Sequence, residues 1–168
     1  VLHINRSRPA AALPDSGISR RQAIDASRTH IVESRDRLLT AYGMDFPFTL
    51  PRTLLGDQSW ERFVLSFAKR LSTPEQFRAW CRRQAGGRER KRRTEERANV
   101  PFAAYNLRLY RQTYYGIRDI LYPLVRDRRA WILPMQYPTE HRPWLMETCP
   151  ASALKRLDLY APYKGRES

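Results

Sequence analysis

The sequence predicts an α/β domain in which short apolar strands alternate with amphipathic helices. Apolar residues recur with a helical period in two stretches, 60–71 and 106–126. Short apolar runs that are typical of buried strands occur at 41–50, 131–135 and 144–148. Alternation of such elements is the pattern of layered α/β folds. The 168 residues, 42% of them hydrophobic, are enough for one core, so we expect a single domain over residues 1–168.

The first elements are predicted from caps and turn residues. A strand end at 1–4 is followed by a loop at 6–17 that contains Pro, Ala and Ser. Ser19 and Gln22 then form a capping-box pattern, in which each residue can satisfy a backbone N–H near the other. This pattern predicts a helix that runs from Ser19 to about Thr40.

Two more helices are predicted after the apolar run at 41–50. The first is marked by apolar residues at i, i+3, i+4 and i+7 spacing: Trp60, Phe63, Val64, Phe67 and Leu71. The second begins with Thr73 as N-cap and Pro74 at the first helical position, while Gln76 completes the capping box.

A strongly basic segment follows and is predicted to form an insertion around 82–100. Residues 82–97 include eight basic and three acidic side chains and no apolar stripe. Such a run is typical of a solvated surface helix or a mobile loop. The functional alternative is a loop that closes over nucleic acid.

The stretch 106–126 is predicted as the longest helix, and five tyrosines alternate with arginines along or beside it. Aromatic rings interleaved with Arg can stack on bases while the guanidinium groups hold phosphates. The spacing of most of these tyrosines instead follows the apolar face of the helix, which favours core packing. A final helix is predicted from Pro150 onward.

Two acidic residues stand within the apolar runs, Asp45 in the run 41–50 and Glu147 in the run 144–148. An ionised carboxylate in a buried strand costs several kcal/mol unless a cation or hydrogen-bond donors compensate it. Carboxylates gathered at strand ends are typical ligands of Mg²⁺. The alternative is that each acid is an edge or ion-paired residue.

The charge balance points to an anionic partner. The chain has 31 Lys and Arg against 17 Asp and Glu, a formal net charge of +14, and all but four of the basic residues are Arg. This surplus favours nucleic acid, an acidic membrane surface or an acidic protein. Arg suits bidentate phosphate contacts, although a general preference for Arg over Lys would produce the same count.

The sequence favours a cytoplasmic protein. No run of about 18 apolar residues and no signal-peptide pattern occurs, which argues against a membrane partner and against secretion. Cys81 and Cys149 lack metal-ligand spacing and are too few for a disulfide framework, so we expect reduced thiols. The oligomeric state has no signal in the sequence.

Several motifs, in order, give the chain a family resemblance. They are 44–51 (MDFPFTLP), 93–102 (RTEERANVPF), 110–116 (YRQTYYG), 146–157 (METCPASALKRL) and 163–165 (YKG). Together they resemble the landmarks of an uncharacterised family of predicted ribonuclease-H-like nucleases. The resemblance covers most of the chain from 42 to 165.

The resemblance implies a ribonuclease-H-like mixed sheet with flanking helices and a divalent-metal-dependent nuclease that hydrolyses phosphodiesters of DNA or RNA. Asp45 matches the acidic position of the family's Asp-x-Pro strand, and Glu147 that of its Glu-x-x-Pro-Ala motif. Both are therefore the expected catalytic residues and ligands of Mg²⁺ or Mn²⁺. Arg92, Arg93 and Lys164 are the expected phosphate contacts.

The chain departs from the family pattern at both ends. A first strand with a Gly-x-Asp metal ligand and a last helix with a further Asp are missing from the sequence, so we expect a truncated domain that lacks both elements. This departure supports the alternative function, a catalytically inactive basic module on the same fold that binds nucleic acid or an acidic protein.

Overall fold

A computed structural model describes residues 19–33, 40–98, 100–139 and 141–159. The predicted strand at 1–4, the loop at 6–17 and Lys164 lie outside these residues. Along the chain the described elements are α1 (Arg20–Glu33), β1 (Ala41–Met44), α2 (Arg52–Leu55), α3 (Trp60–Arg70), α4 (Pro74–Gln84), α5 (Arg93–Arg97), α6 (Tyr110–Tyr115), a π-helical segment (Gly116–Leu121), α7 (Tyr122–Arg126), β2 (Trp131–Leu133), β3 (Trp144–Glu147) and α8 (Pro150–Arg156).

The three described strands form one parallel sheet in the order β1-β3-β2. Met44 is the Cα partner of Glu147, and Trp131 is the partner of Trp144. The α/β prediction is therefore confirmed, whereas this sheet is parallel and not the mixed sheet that the resemblance implied. The connection from β1 to β2 is long and mostly helical, as is usual between parallel strands, whereas residues 134–143 join β2 to β3 without a described helix.

The predicted helix caps form as expected because capping depends on neighbouring residues. The Ser19 hydroxyl accepts a hydrogen bond from the Gln22 N–H at 3.3 Å, and Gln22 Oε1 accepts one from the Ser19 N–H at 2.8 Å. The Thr73 hydroxyl likewise accepts from the Gln76 N–H at 3.1 Å. Helix α1 is described as far as Glu33, so its predicted continuation through 34–39 lies outside the described residues.

Aromatic side chains of α3, α4 and α6 fill the core between the helices. The Phe67 ring lies 5.4 Å from the Phe77 ring and 5.5 Å from the Tyr114 ring, measured between centroids. The Tyr114 hydroxyl donates to the Leu71 carbonyl at 2.9 Å, so this buried polar group is satisfied. The preference for core packing is confirmed for Tyr114 and for Tyr105, which is also buried.

The predicted long helix is built from three successive pieces and begins at Tyr110. Its middle is the π-helical segment, in which the Tyr122 N–H bonds the Ile117 carbonyl five residues earlier. Pro123 has no N–H for the carbonyl four residues before it, which interrupts the α-helical pattern here. Gly116 allows close packing at the start of this segment, since an added Cβ would lie 2.4 Å from a carbon of the Phe46 ring.

None of the described helices is both long enough and apolar enough to cross a membrane.

Candidate functional site

The carboxyl ends of β1 and β3 lie side by side at one edge of the parallel sheet. Asp45 directly follows β1, and Glu147 is the last residue of β3, whose Cα partner is Met44. In open α/β sheets this edge is where ligands most often bind. The structure thus places both predicted acids at neighbouring strand ends.

The two acids have different surroundings, however. Asp45 is exposed in the bend after β1, and its main-chain carbonyl accepts a hydrogen bond from Gln112 Nε2. The expectation that Asp45 lies in a buried strand is therefore wrong. The strand ends at Met44, and the downstream residues Phe46 and Phe48 enter the core instead.

Glu147 is held by three hydrogen-bond donors. Arg92 Nη1 donates to Glu147 Oε2 at 2.7 Å, and Arg92 Nη2 donates to Oε1. The Phe48 N–H also donates to Oε2 at 2.9 Å. The Arg92 and Glu147 side chains are 11% and 26% exposed, so the paired fork is largely shielded from water. Glu147 is therefore compensated by a cation from the basic segment.

Glu95 binds the same guanidinium group, at the nitrogen that also contacts Glu147. Glu95 Oε1 lies 2.8 Å from Arg92 Nη2, and its Oε2 accepts from the Arg92 N–H at 2.6 Å. Burial disfavours the charged form of Arg92, but hydrogen bonding and attraction from Glu147 and Glu95 outweigh it, so the pKa of Arg92 is raised. The sequence analysis missed this role of Glu95. Its position three residues after Arg92 at the start of a helix was the available signal.

The basic segment, defined as residues 82–97, is fixed to the domain at further points. The buried Tyr105 hydroxyl accepts from the Arg90 N–H at 2.6 Å and donates to the Arg88 carbonyl at 3.1 Å. Asn106 Nδ2 donates to Glu89 Oε1 at 2.6 Å. The segment therefore lies folded against the domain, although no apolar stripe predicted such contacts.

Most arginines of the basic segment face solvent. The exposed ones are Arg82, Arg83, Arg88, Arg90, Arg93 and Arg97. Arg82 donates to the Gly87 carbonyl at 2.9 Å, and the described part of the chain contains no ion pair for any of these six side chains. They give a positively charged surface to the segment that Arg92 ties to the end of β3.

The predicted phosphate contacts occupy different positions. Arg92 is the internal anchor of the basic segment, paired with two carboxylates. Arg93 is exposed at the first position of α5. Lys164 lies outside the described residues. Their roles toward a substrate stay predictions.

The surroundings of Glu147 in this structure are those of an ion pair. Its oxygens already accept hydrogen bonds from Arg92 and Phe48, and the Asp45 carboxylate is solvent-exposed. Over the described ranges, no group of three or more His, Cys, Asp and Glu side chains is placed to hold a metal ion. Metal binding by Glu147 would require Arg92 to leave.

Comparison with known proteins found no matching family model, no similar curated protein and no similar solved structure. The resemblance to ribonuclease-H-like nucleases therefore stays a prediction.

Proposed function

We propose that the chain binds nucleic acid through the basic segment at the carboxyl edge of the sheet. The observation that carries this proposal is that the arginines of the segment have two different environments. Arg92 fixes the segment through Glu95 and Glu147, while six other arginines remain exposed. Exposed guanidinium groups on a fixed backbone can pair with successive phosphates and release their counterions.

Anchoring of the segment favours this function over a merely solvated charge run. A mobile loop loses conformational entropy when it binds, whereas a segment already held by Tyr105 and Arg92 loses less. The acids of the segment are also partly used within the domain, since Glu95 pairs with Arg92 and Glu89 accepts from Asn106. Fewer carboxylates then oppose a phosphate backbone.

Fluorescence anisotropy with labelled single- and double-stranded DNA and RNA tests this proposal across a salt series. The test variant is Arg88→Ala/Arg90→Ala, and the matched control is Arg62→Ala/Lys69→Ala, which removes two exposed cations from α3. We expect the test variant to bind more weakly and to lose about 1.4 to 1.8 from the slope of log K against log salt, which corresponds to two phosphate contacts. Equal losses in both variants would contradict a localised interface.

An acidic protein partner is the competing use of the same surface. A protein partner that fits this surface in shape and hydrogen bonding, as well as in charge, should bind more tightly than polynucleotides and should therefore resist displacement by them. Competition between a captured partner and DNA or RNA separates the two cases.

A second candidate function is phosphodiester hydrolysis that depends on Mg²⁺ or Mn²⁺. The observation that favours it is the placement of Asp45 and Glu147 at adjoining strand ends. Cleavage of labelled DNA and RNA should then require the metal, and Asp45→Asn or Glu147→Gln should abolish cleavage without abolishing binding. Circular dichroism checks that the Glu147 variant is folded. Absence of cleavage with either metal would leave binding alone as the function, whereas cleavage that survives both substitutions together would contradict the assignment of Asp45 and Glu147 as the catalytic residues.

A further inference from the structure

A second charged region, which shares no residue with the basic segment, is a cleft between α1 and the π-helical segment. Its volume is about 430 Å³. Six charged side chains line it: Arg20, Arg21, Asp25, Arg28, Arg118 and Asp119. The cleft therefore gathers four guanidinium groups and two carboxylates from two elements that are far apart in the sequence.

Internal ion pairs compensate half of these guanidinium groups. Arg118 pairs with Asp119 through two hydrogen bonds, Nε to Oδ1 at 2.6 Å and Nη2 to Oδ2 at 2.8 Å. Arg28 Nη2 pairs with Asp25 Oδ1. Of the other two arginines, Arg21 has its Nε 4.0 Å from Asp25 Oδ2.

With two carboxylates against four guanidinium groups, the cleft carries a formal charge of +2. Arg20 has no carboxylate partner in the described part of the chain, and the Asp25 contact of Arg21 is at the distance limit for an ion pair. An anion in the cleft would therefore meet positive charge that no carboxylate among the described residues neutralises.

Aromatic rings hold two of the guanidinium groups in place. The Arg20 Cζ lies 3.7 Å from the centroid of the Tyr115 ring, and the Arg118 Cζ lies 5.0 Å from the same centroid. Stacking on a ring face orients a guanidinium group while its N–H groups stay available at the edge. A planar fork fixed in this way suits the oxygens of a phosphate.

The helix that forms one wall of the cleft also contacts the sheet edge. Gln112 donates to the Asp45 carbonyl, and Arg118 lies six residues further along the helix. One continuous helical stretch therefore connects the wall of the cleft to the sheet edge.

We propose that this cleft binds a phosphate group, carried either by a free nucleotide or by the backbone of a nucleic acid. Arg20 and Arg21 supply the uncompensated charge, and Tyr115 fixes the Arg20 guanidinium over its ring. The volume is large enough to take more than a phosphate ion. This site uses no residue of the basic segment, so it does not rest on the function proposed above.

Isothermal titration calorimetry tests the site with three probes at one ionic strength: inorganic phosphate, adenosine monophosphate and a short single-stranded oligonucleotide. The variant Arg20→Ala/Arg21→Ala is compared with Arg62→Ala/Lys69→Ala, which removes the same number of charges elsewhere. We expect the first variant to lose about tenfold in affinity, since charge-assisted hydrogen bonds to phosphate are lost, and the control to change little. Arg20→Lys/Arg21→Lys keeps the charge and should restore only part of the affinity, because Lys lacks the planar fork.

The outcomes separate the two sources of the phosphate. A loss seen with adenosine monophosphate identifies a free nucleotide, and a loss confined to the oligonucleotide identifies a nucleic-acid backbone. Affinity for all three probes that is the same in the Arg20→Ala/Arg21→Ala variant and the control overturns the proposal. Because Arg88→Ala/Arg90→Ala leaves the cleft intact, failure of the basic-segment interface and failure of this site are distinguishable.

Discussion

Arg92 and Glu147 are joined by two parallel hydrogen bonds between a guanidinium group and a carboxylate, and this pair connects the basic segment to the last residue of β3. The same guanidinium also pairs with Glu95, which is only 3% exposed. One cation thus compensates two poorly solvated carboxylates. This contact fixes the basic segment together with the hydrogen bonds of Tyr105 and Asn106.

Substitution of Arg92 by Ala should destabilise the domain strongly. The change leaves Glu95 and Glu147 without their cation, and breaking a buried pair by removing one partner costs about 3 to 5 kcal/mol. We expect the lower end of this range because Glu147 is 26% exposed. Urea denaturation measures the free energy of unfolding. The control is Arg126→Ala, whose ion pair with Asp127 is about half exposed and should contribute little to stability, because water and salt screen it. Similar losses in both variants would contradict a structural role of the Arg92 cluster.

Tyr105→Phe tests whether order in the basic segment contributes to binding. The substitution removes no charge, but it leaves the Arg90 N–H and the Arg88 carbonyl without the hydroxyl that binds them. Loss of these contacts should cost about 1 to 3 kcal/mol and should increase amide hydrogen exchange in the segment. Nucleic-acid affinity should fall with an unchanged salt slope, because the number of phosphate contacts stays the same. Faster exchange without any loss of affinity would show that anchoring does not assist binding.

Gly43→Ala should disturb the contact between β1 and the residue that follows β3. An added Cβ at position 43 would lie 2.8 Å from Thr148 Cγ2. Overpacking of this kind costs about 1 to 3 kcal/mol. The double variant Gly43→Ala/Thr148→Ser removes the obstructing methyl group and should recover most of the loss, as measured by thermal unfolding. An equal loss in the single and double variants would show that the methyl contact is not the cause.

The stability of the domain should decrease at alkaline pH through Cys81. Burial raises the pKa of this thiol, so it stays protonated in the folded state while it ionises in the unfolded state above a pKa of about 8.5. The unfolded state then binds fewer protons, and the free energy of unfolding falls by about 1.4 kcal/mol per pH unit above that value. Cys81→Ala should remove this part of the slope. Urea titrations of both proteins from pH 7 to 10 measure the difference, and parallel curves would contradict the assignment.

Local structure could be predicted from the sequence wherever the residues that specify it are neighbours along the chain. The start of α1 at Ser19 and Gln22, the start of α4 at Thr73 and the apolar face of α3 all follow from residues within one or two turns of each other. The existence of strands at β2 and β3 also followed from short apolar runs. Helix caps and the helical spacing of apolar residues are reliable signals because the residues that form them are close together in the sequence.

Tertiary structure decided how the acids and cations are combined. Arg92 and Glu147 are 55 residues apart in the sequence, and Phe48 and Glu147 are 99 apart. The apolar run around Asp45 predicted a buried acid, but the strand ended at Met44 and left Asp45 exposed. The exposure of Asp45 and the pairing of Glu147 depend on strand register and on where the chain leaves the sheet, because a side chain is buried or paired only when distant segments pack together. The same packing explains why the basic segment, which has no apolar stripe, is nevertheless held against the domain by Arg92 and Tyr105.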